Sequence, residues 1–140
     1  MNTLLDGFAH WVKTTPDKTY LTQPYSDGQV TDYSWREVND QVLRMVAHLQ
    51  SLNLPAKSCI GILGKNSAHW VMSDLVIWMA GHVSVPLYPT LNAETVRYII
   101  EHCECKLLFI GKMDGKTDTW HDLKHGIPEA IPKIALPMCP

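Results

Sequence analysis

The sequence has little excess charge: twelve Lys and Arg against fourteen Asp and Glu leave a formal net charge of −2 over 140 residues. That balance removes any electrostatic argument for nucleic acid or an anionic membrane as partner. Long apolar runs are missing too. The longest, residues 70–80, is interrupted by Ser73 and Asp74 and falls far short of the roughly 20 residues a membrane span needs. The start, MNTLLDGFAHW, lacks the basic and apolar regions of a secretory signal. Cys59, Cys103, Cys105 and Cys139 do not have the spacing of a disulfide framework, which favours a reducing, cytoplasmic setting. No G-x-G-x-x-G is present, so a dinucleotide fingerprint is excluded. Nor is there a G-x-S-x-G or an oriented triad. The aromatic residues are too dispersed for a base-stacking platform.

What is there reads as α/β. With 46% hydrophobic and 19% charged residues, the chain has the composition of a globular domain. Residues 59–63, 83–88 and 107–110 are short apolar runs rich in Val, Ile and Leu. Such runs suit parallel strands covered on both faces. Helical patterns separate them, giving a right-handed βαβαβ unit. Pro86 lacks a ladder donor, which places its strand at an edge or a bulge.

An amino-terminal helix and a hairpin precede this unit. Leu4, Leu5, Phe8, Trp11 and Val12 form one helical stripe that ends at Thr15-Pro16. Residues 19–22 and 29–33 flank Ser26-Asp27-Gly28, a hairpin signal with a loop slightly longer than the tightest turn. Ser34 and Glu37 then form a capping box. Val38, Val42, Met45, Val46, Leu49 and Leu52 give the following helix its apolar stripe. Asn53 suits a left-handed stop before Pro55. Asn92 caps a later helix whose face carries Val96, Ile99, Ile100 and Cys103. After 110 the pattern decays. A turn-rich loop at 111–115, a short helix over 117–124 started by Asp118, and a stub of strand within 131–137 are expected. Residues 116–140 read as a loop-rich end that looks cut.

The helix at 68–81 is apolar nearly all round, so it needs cover on several sides. A chain this short has little material to cover it. Exposure of that helix, and self-association through it or a larger parent protein, are therefore expected.

Motifs that invite chemistry are weak. Gly64-Lys65-Asn66-Ser67 lies between strand and helix, but Cys59 stands where a phosphate loop needs glycine, and Asn66 displaces the hydroxyl. Lys65 reads as a solvated loop residue, with Asn66 or Ser67 as the helix N-cap. Cys103-Glu104-Cys105 near His102, His121 and His125 has poor zinc spacing and reads as inert thiols with solvated histidines. His69 and His82 at the ends of the apolar helix suit capping or dipole roles. Asp74 inside that helix needs water, a polar loop or a partner, or else acts as an acid of raised pKa. No residue is assigned as catalytic, cofactor-binding or metal-ligating.

Several stretches, in order, resemble the amino-terminal part of the adenylate-forming (AMP-binding) superfamily. They are Phe8-Ala9-His10-Trp11 with Thr15-Pro16-Asp17-Lys18, then Tyr33-Ser34-Trp35-Arg36-Glu37-Val38. The strand and turn Ile60-Gly61-Ile62-Leu63-Gly64-Lys65-Asn66-Ser67 follow, and finally residues 78–91, WMAGHVSVPLYPTL. The VPLYPTL form is most similar to the long-chain acyl-CoA synthetases, and the likeness extends from about residue 4 to 111. It implies a Rossmann-like partial sheet of mainly parallel strands flanked by helices. It also implies a parent enzyme that joins a fatty acid to ATP with Mg²⁺, giving acyl-adenylate and pyrophosphate, and then transfers the acyl group to coenzyme A. The family's Ser/Thr/Gly phosphate loop, adenine segment and catalytic lysine have no counterpart in these residues. The resemblance thus implies an inactive amino-terminal subdomain over 1–140. Lys112 and Lys116 lie where relatives touch coenzyme A, but they do not reproduce that motif. The alternative is a stand-alone α/β interaction or nucleotide-binding module.

Overall fold

The structure is a computed structural model that describes residues 3–113 and 119–140. Helix α1 (Leu4–Thr14) starts at a capping box in which Thr3 and Asp6 satisfy each other's backbone N–H groups. The hairpin follows as β1 (Thr19–Pro24) and β2 (Val30–Ser34), which pair antiparallel. Gly28 takes φ +83 in its loop, a conformation glycine adopts without strain. Helix α2 (Trp35–Ser51) starts at the Ser34–Glu37 box and stops before Asn53, at φ 51, both as expected.

The remaining strands are β3 (Cys59–Leu63), β4 (Val83–Leu87), β5 (Leu107–Ile110) and β6 (Lys133–Ala135). They form a parallel sheet of order β4-β3-β5-β6. The connecting helices are α3 (Ala68–Met79), α4 (Ala93–His102) and the short α5 (Thr119–Leu123), which runs into a 3-10 turn at Lys124–Gly126. The strand stub expected within 131–137 is β6. The start assigned to Asp118 lies outside the described residues.

Strand periodicity divides the core in two. Ile60, Ile62, Leu107 and Phe109 pack beneath α2 and α3. Leu63, Leu87, Leu108 and Ile110 pack beneath α4 and α5. A sheet covered on both faces explains why β3 and β5 read as continuous apolar runs. Each of these buried side chains contributes about 1.5–3 kcal/mol on transfer from water.

Pro86 sits on the edge strand. Val83 N–H donates to Ser58 C=O at 3.0 Å, and Gly64 N–H donates to Leu87 C=O at 3.1 Å. By ladder alternation Val83, Val85 and Leu87 turn their backbone groups to β3, while Ser84 and Pro86 turn theirs to the open edge. Proline therefore breaks no internal bond and removes one outward donor, which blunts strand addition at this edge.

One expectation is corrected. Helix 68–81 was expected to lie exposed, yet no residue of α3 falls in the exposed class. Helices α1 and α2 and strand β1 fold over it, and Met72, Leu75, Val76 and Ile77 are buried. What α3 offers a second copy is limited to half-buried side chains such as Trp70, Val71 and Trp78. The physical reason is that α2, with α1 and β1 beside it, supplies cover that composition alone did not reveal.

Candidate functional site

Parallel strands deliver their carboxyl ends to one side of a sheet, and ligands of open α/β sheets sit there, where neighbouring crossovers diverge. After β3 the chain turns to α3 on one face; after β5 it turns to α5 on the other. The crevice between β3 and β5 is therefore the candidate site. Gly64-Lys65-Asn66-Ser67 and Gly111-Lys112-Met113 meet at it.

The backbone closes this crevice. Gly111 N–H donates to Leu63 C=O at 2.8 Å, and Lys65 N–H donates to Lys112 C=O at 2.7 Å. A Cβ on residue 64 would lie 3.1 Å from Gly111 Cα, so the close approach favours glycine there. A helix N-terminus binds anions through its free N–H groups. At α3 two of them are taken: Ala68 N–H donates to Gln23 Oε1 at 2.8 Å, and Trp70 N–H donates to Ser67 Oγ at 3.0 Å. Ser67, one of the two expected caps, is the N-cap, and Lys65 is exposed.

These bonds decide how the chain relates to phosphate-bearing groups. The N–H groups of Gly64, Lys65, Ala68 and Trp70 are committed within the protein, so they do not fit a cradle for ATP or coenzyme A phosphates. Among the described residues no three His, Cys, Asp or Glu side chains converge as a metal site would require. Lys112 is half-buried, and Lys116 lies outside the described residues.

The other candidates scatter. His121 and His125 stand edge to face at 5.6 Å on the surface. His102 stacks on Tyr98 at 5.5 Å. Cys103 ends α4, and Glu104 follows at φ 52. Burial, reinforced by the neighbouring thiols of Cys103 and Cys59, pushes Cys105 up to about 11, which suits an inert thiol. His69 meets the ring of Tyr33 edge-on at 5.7 Å and looks into a cavity of about 60 Å³ beside Gln41, Met72 and Phe109. Burial lowers its pKa, and its Nδ1 has no hydrogen-bond partner.

His82 acts through its backbone. Its N–H donates to Ile77 C=O at 2.9 Å, and Gly81 N–H donates to Trp78 C=O at 3.0 Å, the paired bonds of a Schellman stop with Gly81 at φ +82. No dipole role for its ring is needed. Asp74 finds a partner in the Ser84 hydroxyl on β4, which donates to its Oδ1. Gln23 is the buried contact beside the site that sequence reasoning missed. Its only signal was a polar residue at an inward position of β1, where it is 3% exposed.

Solved structures share this architecture. That of IdnL1 aligns with 97% of this chain and 26% of its own, with TM-score 0.80 and 18% identity. The anthranilate CoA ligase AuaEII, solved with anthranoyl-AMP, aligns over 94% and 24%, with TM-score 0.75 and 20% identity. The fold so defined is an α/β layer with a parallel sheet between helices. The sequence profile of the AMP-binding enzyme family matches residues 8–136, and the chain belongs to that family. The match runs through β6, well past residue 111, where the likeness was expected to end. Among curated relatives in Arabidopsis thaliana, long chain acyl-CoA synthetase 2 is 31% identical over 107 residues, which is 74% of this chain and 16% of that protein. Long chain acyl-CoA synthetase 4 is 32% identical over 114 residues, 79% of this chain and 17% of that protein. The chain thus spans about one-sixth of the length of these relatives.

Proposed function

We propose that this chain is the amino-terminal scaffold layer of a fatty-acid-activating ligase, one that makes acyl-adenylate from ATP and then acyl-CoA. In this reading it supplies a packed sheet and two helical layers, while ATP, Mg²⁺, the acid and coenzyme A are held by family segments outside these residues. The observation that carries the reading is the carboxyl end of the sheet, where the N–H groups of Gly64, Lys65, Ala68 and Trp70 are bonded within the protein and not held open for phosphate. Without such a site the chain alone does not form acyl-adenylate. The reducing, cytoplasmic setting belongs to the same proposal and is supported by four unpaired thiols.

A chimera tests it. This chain replaces the corresponding segment of a long-chain acyl-CoA synthetase, and fatty-acid-dependent ATP–pyrophosphate exchange is measured. Exchange near that of the intact enzyme is expected. A folded chimera without exchange contradicts the scaffold reading and favours a separate interaction or nucleotide-binding module.

A further inference from the structure

We propose that the cleft between α1 and α3 binds a small organic cation, an ammonium group carried on a compact apolar body. Phe8 of α1, Tyr20 of β1, Trp35 of α2, and Leu75 and Trp78 of α3 wall this cleft, together with Asp74. Its free volume is about 250 Å³. An apolar cavity of about 150 Å³ already takes up benzene, so a single ring with a short side chain fits. Four separate elements enclose the space, which suits a compact body better than an extended peptide.

The polarity of the cleft selects the charge. Asp74 is half-buried among aromatic and aliphatic walls. Its one described hydrogen bond comes from the Ser84 hydroxyl, and no Lys, Arg or His among the described residues pairs with it. A carboxylate in such surroundings favours a counter-charge. An ammonium ion placed there gains that ion pair and the attraction of the Trp78 indole, while Tyr20 and Trp35, stacked on each other at 3.7 Å, wall the cleft as apolar surface. A neutral ligand gains neither, and an anion is repelled. The cleft shares no lining residue with the β3–β5 crevice, and the inference stands whether or not the ligase reading does.

The test titrates the whole chain with phenethylammonium and with its neutral counterpart 2-phenylethanol, read by tryptophan fluorescence and by backbone amide shifts. Saturable shifts confined to Val71, Asp74, Trp78 and Trp35 are expected for the amine, with the alcohol about three- to tenfold weaker. Asp74→Asn keeps an oxygen for the Ser84 hydroxyl and is expected to bring the two affinities together. Val71→Phe fills the cleft and is expected to abolish both, with circular dichroism confirming the fold. Equal affinities on the parent chain, no saturable change, or shifts mapping to another face each overturn the proposal.

Discussion

Replacing Gln23 with Leu probes the contact that ties the hairpin to the start of α3. Gln23 is 3% exposed, and its Oε1 accepts from Ala68 N–H across 45 residues of sequence. Leucine nearly matches the volume but offers no acceptor, leaving one N–H of the first turn of α3 buried and unpaired. That costs about 1–3 kcal/mol. The bond from Nε2 to Pro24 C=O, 2.8 Å long, is also lost, but Pro24 is exposed and water replaces it. The net expectation is about 2 kcal/mol of lost stability, or roughly 7 °C in Tm for a chain of this size. Urea and thermal unfolding measure the loss, and hydrogen exchange at the Ala68 amide reports the freed donor. Ser67→Ala removes the neighbouring cap and is expected to cost about 1 kcal/mol. A Gln23→Leu protein within about 0.5 kcal/mol of the parent, with unchanged Ala68 exchange, refutes the reasoning.

Other outcomes follow from local geometry. Glu104 holds φ 52 where α4 stops in paired bonds, so Glu104→Gly is expected to stabilise by about 0.5–1 kcal/mol in urea unfolding. His69 has its pKa lowered by burial from the ordinary 6.5. The unfolded chain therefore binds the proton first, and stability drops as pH falls below about 6.5, levelling only below the folded pKa. His69→Phe flattens that acid limb in unfolding curves taken against pH. Cys105, pushed up to about 11 from an ordinary 9.0, carries about 100-fold less thiolate than an ordinary cysteine at pH 8. Iodoacetamide labelling followed by peptide mapping should find it correspondingly slow, and rapid labelling contradicts its burial.

How much was legible depended on the reach of each interaction. Local signals read well: Ser34 with Glu37, Asn53, Ser67 and Asn92 all act within a helical turn, and each cap forms where its spacing placed it. The parallel strands were legible because burial on both faces leaves no polar alternation. Pro86 marked its edge by chemistry alone. What failed was long-range. The cover over α3 comes from α1, α2 and the hairpin, elements distant in sequence, so an all-apolar pattern looked like exposed surface. Gln23 gave no hint of its partner, because a strand glutamine carries no address for a helix 45 residues away. The closure of the candidate site was illegible for the same reason. Gly64-Lys65-Asn66-Ser67 could be weakened as a phosphate loop by its missing glycine, but only the bonds to Lys112 and Leu87 show where its N–H groups go. Asp74 lies between these cases: its need for a partner was readable, whereas Ser84 as that partner was not.

The central claim, that these residues scaffold an activating enzyme without holding its reacting groups, is tested most directly by ATP–pyrophosphate exchange with a fatty acid, using the 140-residue chain on its own. The account predicts exchange no faster than a protein-free control across fatty acids of different length. Exchange that saturates with ATP and requires the acid would place the adenylating site within this chain and contradict the account.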